Sequence, residues 1–149
     1  MNITKELLAK FVDQLAKRFL TEVEGYSLTT DIDDLKILGV SLVRGKKASE
    51  IGDINADDIH DNEVLFYSKT KKDAPFNLLK HFRNCASHSG CISLIQRNGK
   101  DFFLFEDKGK AYGKSFISMR AVIQRDMWDE YIDNLYKEAL KDKQITPKE

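Results

Sequence analysis

Residues 73–90 read DAPFNLLKHFRNCASHSG, and the reading of the whole chain turns on them. Asp73 can cap a helix, and Pro75 stands in the first turn, where its missing N–H costs nothing. Phe76, Leu79, Phe82 and Ala86 recur at helical spacing and can face a core. Gly90 is a natural stop, since glycine accepts the left-handed conformation at helix ends. Against the apolar stripe stand His81, Arg83, Asn84 and His88. That is a dense set of polar and proton-transferring groups for a chain with 3 histidines.

Helical geometry separates their roles. Asn84 and His88 are one turn apart and share a side. Arg83 and His88 are five residues apart, so about 140° divides them on a regular helix. One copy of such a helix cannot focus both on one small atom. Either the helix loosens near Ser87, or two copies meet across a dimer. His88 falls in the expected last turn, where the negative end of the helix dipole favours imidazolium. This suits a general acid or base working near neutral pH.

The run Arg83-Asn84-Cys85-Ala86-Ser87-His88 has the form R-N-x-x-x-H, preceded by Leu78-Leu79-Lys80-His81-Phe82 and followed by Ser89-Gly90. It resembles the signature of the HEPN superfamily, and the β-rich stretch that follows resembles one plasmid-borne bacterial HEPN group. The resemblance implies a mainly α fold: a HEPN-like helical bundle with a β-hairpin or small antiparallel sheet inserted before the last helix, forming one domain over residues 1–149. It also implies a homodimer and metal-independent cleavage of RNA, with no cofactor. In that scheme Arg83, Asn84 and His88 are catalytic. The RNA 2′-hydroxyl attacks the adjacent phosphate, His88 moves a proton, Arg83 holds phosphate oxygens and Asn84 orients its neighbours. Lys72, Lys80 and His81 are the candidate substrate-binding residues, with Lys69, Lys71 and Lys72 a short basic run before the helix. The expected setting is a toxin–antitoxin pair or phage defence, with an antitoxin or regulatory protein as a further partner. A non-catalytic RNA-binding or protein-interaction module is the alternative function.

A different chemistry is open to the same stretch. His81, Cys85, His88 and Cys91 are spaced 4, 3 and 3 apart, and zinc accepts such ligands. They fall in one short span, however, unlike the usual pair of clips. Gly109-x-x-x-Gly113-Lys114-Ser115 falls one residue short of a phosphate-binding loop.

Composition bounds the partners. The 149 residues carry 24 basic and 24 acidic side chains, so any grip on nucleic acid is local. No apolar run is long enough to span a membrane, and residues 1–20 do not read as a secretory leader. Two cysteines and no export signal point to free thiols in a cytoplasmic protein.

The flanking chain reads as support. Residues 3–23 predict a helix with Leu8, Phe11, Val12, Leu15 and Phe19 on one face, capped by Asn2 or Thr4 and ended by Gly25. Residues 124–142 predict another, carrying Trp128, Tyr131, Ile132, Leu135 and Tyr136, with a polar tail that frays from Lys141. Between them, 26–72 is expected to add a short helix before Gly39 and another from Asn55 through Tyr67. Asp53, Asp57, Asp58 and Asp61 favour that helix start. Asn98-Gly99 marks a hairpin between strands 91–96 and 101–106, with a third strand at 115–119.

Overall fold

The computed structural model describes residues 3–88, 90–111 and 114–145. In chain order the elements are α1 (Lys5–Phe11), π-helical turns (Val12–Lys17), α2 (Arg18–Glu22), β1 (Tyr26–Ser27), β2 (Lys36–Ile37), β3 (Val40–Gly45), α3 (Ser49–Gly52), a 3-10 turn (Ala56–Asp58), β4 (Glu63–Tyr67) and α4 (Ala74–Ser87). Then follow β5 (Ile92–Arg97), β6 (Lys100–Ala111), β7 (Lys114–Gln124), a 3-10 turn (Arg125–Met127), α5 (Trp128–Ala139) and β8 (Gln144–Ile145).

The expectation of a mainly α, HEPN-like bundle is overturned. The chain is 40% helical and 30% strand, and its centre is a six-stranded mixed sheet in the order β2-β3-β4-β7-β6-β5. The sheet is not purely antiparallel either, because β3 and β4 pair in parallel from Ser41↔Glu63 to Gly45↔Tyr67. The error lies in residues 55–67. Asn55 caps only a 3-10 turn, accepting from the Asp57 amide at 3.2 Å. Asn62 then takes a positive φ of 56° and the chain straightens into β4. Val64 and Phe66 pack on one face of the sheet and Leu65 on the other. A strand buried on both faces is a continuous apolar run, which periodicity alone does not distinguish from a helix. The short helix expected before Gly39 is likewise absent; Lys36–Ile37 forms β2 instead.

The three long helices do form. Thr4 Oγ1 accepts from the Leu7 amide at 3.2 Å, and Gly25 leaves the helix with φ 86°. The stretch between has an unusual pattern: Phe11, Leu15, Phe19 and Val23, all essentially fully buried, follow one another every fourth residue. Four residues overshoot an α-helical turn by about 40°, so a regular helix would carry this stripe off the core. The wider π turns at Val12–Lys17 absorb the overshoot and keep the stripe on one side.

One face of the sheet carries the helices. Phe11, Phe82, Phe103, Phe105 and Trp128 interlock there, with ring centroids 4.7 Å apart for Phe105 and Trp128 and 5.3 Å for Phe82 and Phe105. The opposite face packs Leu65, Phe102 and Val122 against Ile51 and Ile59. Arg120 and Glu106, cross-strand partners in β7 and β6, form an ion pair at 3.1 Å. The β5–β6 hairpin turns on Asn98 and Gly99, with φ 51° and 78°, the conformation a two-residue primed turn requires. The tail does not simply fray from Lys141: Gln144 and Ile145 pair with Ser27 and Tyr26. Asn2, Ser89 and Gly113 lie outside the described residues.

Candidate functional site: a polar cleft at the end of α4

A cleft of about 390 Å³ opens between the last turns of α4 and the β6–β7 ribbon. Lys80, His81, Asn84 and His88 line it from the α4 side, and Asp107, Lys108, Phe116 and Ser118 from the ribbon. Pro75 sits in the first turn of α4, but Asp73 does not cap it; its carboxylate accepts from the Thr70 hydroxyl at 2.9 Å. The helix ends at Ser87. His88 is exposed and extended, with φ −121° and ψ 130°, so it leaves the helix one residue earlier than its sequence position suggests and turns towards the ribbon.

Behind the cleft runs a relay of hydrogen bonds. Arg83 Nη2 donates to Asn84 Oδ1 at 2.9 Å, and Asn84 Nδ2 donates to Asp107 Oδ2 at 3.2 Å. The same Asp107 oxygen stands 2.7 Å from His81 Nδ1, while His81 Nε2 lies 2.8 Å from the Tyr67 carbonyl. A carbonyl only accepts, so Nε2 is the donor to Tyr67, and Nδ1 is the nitrogen that faces Asp107. The ring is thus held between the Asp107 carboxyl group and a main-chain oxygen. Asn84 is oriented by the same logic. A donor on one side and an acceptor on the other fix which end of its amide faces which.

The trio Ser118, His81 and Asp107 is not a nucleophilic triad. Ser118 Oγ and Asp107 both face Nδ1, at 3.4 and 2.7 Å, and Nε2 is taken by the backbone. A triad needs the serine and the carboxylate on opposite ring nitrogens.

A β-bulge builds this arrangement. Asp107 pairs with Met119 but Lys108 pairs with Ile117, leaving Ser118 as the extra residue of β7. Bulges re-aim side chains in this way. Met119, Ala121 and Ile123 belong to the helix-side core, yet Ile117, of the same parity, packs with the opposite cluster. The bulge therefore brings Ser118 to the helix side, where its hydroxyl lies 3.4 Å from the Asp107 carbonyl and 3.5 Å from its carboxylate.

The sequence-derived candidates divide as follows. Asn84, His88, Lys80 and His81 come together in the cleft. Arg83 does not line it: its guanidinium lies over the Phe19 ring, 5.0 Å from the centroid, and 3.8 Å from Glu24. Lys72 is exposed before α4 and also lies outside the cleft lining. The four proposed zinc ligands do not converge. His81 is held by Asp107 and Tyr67, and both cysteines are buried in the core. Among the described residues no group of three or more His, Cys, Asp or Glu is placed to hold a metal ion. Burial, with Asp107 adding to it, pushes the Cys85 thiol well above its ordinary range. A larger hollow of about 540 Å³ lies between α1, the β5–β6 turn and α5. Four of its charges are paired with each other, Lys10 with Asp129 and Arg125 with Asp101.

Asp107 and Ser118 are the residues the sequence reading missed. Asp107 had a signal: Phe103 and Phe105 alternate into the core, and Asp107 continues that parity as an acid, only 4% exposed. Ser118 had none, because a bulge breaks the alternation that would locate it. Comparison with protein-family models, with curated proteins and with solved structures gives no match to this chain.

Proposed function

We propose that this protein is an endoribonuclease acting without a metal ion, with its reaction centre in the α4 cleft. The observation that carries the reading is the juxtaposition of Asn84 and His88 in one cleft, with Asn84 fixed by Arg83 and Asp107. The reading rests on this local arrangement and on the R-N-x-x-x-H sequence, and not on the bundle fold that the motif implied.

The chemistry follows from the side chains. An RNA phosphate in the cleft meets Lys80 and Lys108 as counter-charges and a fixed Asn84 N–H as a directional donor. His88, exposed and outside the helix, takes the proton of the 2′-hydroxyl or delivers one to the leaving 5′-oxygen. The P–O5′ bond breaks as the O2′–P bond forms, giving a 2′,3′-cyclic phosphate and a 5′-hydroxyl. DNA lacks the attacking hydroxyl and is not cut. Arg83 acts within one chain by holding Asn84. Its direct service to a phosphate requires a second copy, which is why a homodimer belongs to the proposal.

Labelled RNA is incubated with the protein and with Arg83→Ala, Asn84→Ala and His88→Ala. Cleavage is expected from the first, with none from His88→Ala and a smaller loss in Asn84→Ala. Cleavage undiminished in His88→Ala, or abolished by EDTA and restored by Mg²⁺, would refute the mechanism.

A further inference from the structure

Phe116 stands apart from the other phenylalanines. The chain has 9 of them, and among the described residues Phe116 is the one that belongs to neither apolar cluster nor packs against either. It is half-buried and lines the α4 cleft. Its place there is a product of the bulge. With Ser118 as the extra residue, Ile117 goes to the opposite face of the sheet and Phe116 to the cleft; unbroken alternation would do the reverse.

The ring is also supported from below. Gly109 is its cross-strand partner, and a Cβ built at Gly109 would lie 3.1 Å from Phe116 Cζ and 3.4 Å from Cε1. The ring therefore lies across bare backbone, where any larger residue would push it away. Around it the cleft presents Lys80, Lys108 and His88, and the amides of Asn77 and Asn84. Phosphate alone has no use for an aromatic plane. Proteins that take single-stranded RNA combine cationic groups for the backbone with aromatic rings on which bases stack.

We propose that Phe116 is the platform of a nucleobase subsite, stacking one unpaired base of an RNA strand whose phosphate sits at Lys80 and Lys108. This rests on the RNA reading above and adds what holds the base. The subsite tolerates any base, since stacking uses the π face common to all four.

The test needs no cleavage. Trp128 is the chain's sole tryptophan and is 1% exposed, so Phe116→Trp places a reporter in the cleft against a constant background. Adenosine 5′-monophosphate and ribose 5-phosphate carry the same charge and differ by the base. The emission of Phe116→Trp is expected to be quenched in a saturable way by the nucleotide and at least tenfold less by the sugar phosphate. In calorimetry, Phe116→Leu should bind the nucleotide on the order of 5–150-fold more weakly than the unaltered protein, the range that base–aromatic stacking supplies. Its binding of ribose 5-phosphate should not change. Equal response to both probes, response to neither, or full affinity for the nucleotide in Phe116→Leu overturns the subsite and leaves Phe116 as a cover for Gly109. An inert protein that still discriminates the two probes keeps the subsite and loses the nuclease; an active one that does not discriminate them has the opposite outcome.

Discussion

Removal of the Asp107 carboxylate tests the relay most directly. In Asp107→Ala the His81 ring loses a charge-assisted hydrogen bond of 2.7 Å between side chains that are 12% and 6% exposed. Bonds of that kind contribute about 1.5–3 kcal/mol. Asn84 Nδ2 loses its 3.2 Å acceptor as well, for about 1 kcal/mol. The Ser118 contacts, at 3.4–3.5 Å, are too long to add much. Breaking a buried pair outright costs about 3–5 kcal/mol when the remaining charge is stranded. Here the His81 ring keeps its bond to the Tyr67 carbonyl, so the lower end applies. The expected loss is about 3 kcal/mol, a fall of roughly 6–12 °C in Tm for a chain of this size. Urea unfolding followed by Trp128 fluorescence measures it, with an unchanged slope showing that the folded state is intact. The double-mutant cycle with His81→Ala then isolates the pair: Asp107→Ala made in that background should cost about 1 kcal/mol, the Asn84 bond alone. A single mutant within about 0.5 kcal/mol of the unaltered protein would show that the relay contributes nothing, and strict additivity would show that the His81–Asp107 pair does not.

Three further outcomes are expected. Cys85 and Cys91, both buried, should resist Ellman's reagent in the folded protein and react fully in denaturant, because burial keeps the Cys85 thiol protonated. Desolvation raises the Asp129 pKa, but the hydrogen bonds from Lys10 and Gln14 outweigh it and the net shift is downward; its stabilisation is therefore present above the unfolded-state pKa and lost as pH falls through the lower folded-state value. Asp129→Asn should accordingly flatten the acid limb of a stability–pH profile between the unfolded-state and the lower folded-state values, and leave its slope unchanged below the latter, where the carboxylate is protonated in both states. Deleting Ser118 should remove the bulge while leaving Lys108 opposite Ile117 and Gly109 opposite Phe116, so the far-ultraviolet spectrum should keep its strand content and the cleft its response to nucleotide.

The helices were legible because their apolar stripes are long and periodic. The 74–88 stripe located α4 to within a residue, and Asn98-Gly99 located the hairpin. Residues 36–67 were not legible, since β4 has no partner nearby in sequence. It is flanked by β3 and β7, and only that double burial explains why Val64, Leu65 and Phe66 are all apolar. The site was half legible. Asn84 and His88 could be placed together from their spacing, and Arg83 could be separated from His88 by angle. The acid that holds Asn84 comes from 23 residues further on, and the serine beside it depends on a break in alternation. Local spacing carries neither. His81 stands in the sequence as a candidate substrate contact, but both its nitrogens are occupied inside the protein, a fact set by the β4 carbonyl and by Asp107.

The strand order has a consequence for how the protein is made. β5, β6 and β7 are neighbours in sequence and in space, and the Asn98-Gly99 turn closes the first pair. β4 must instead find β7 across more than fifty residues, with Glu63 opposite Val122, and pairings of that separation form late because their loop must close first. The relay draws on both parts: Asp107 and Ser118 belong to the quick meander, and the Tyr67 carbonyl belongs to β4. A refolding chain would thus acquire its helices and its hairpins before His81 has both of its partners. The cleft is the last thing finished, and a refolding chain would be ordered over most of its length before the cleft has its final shape.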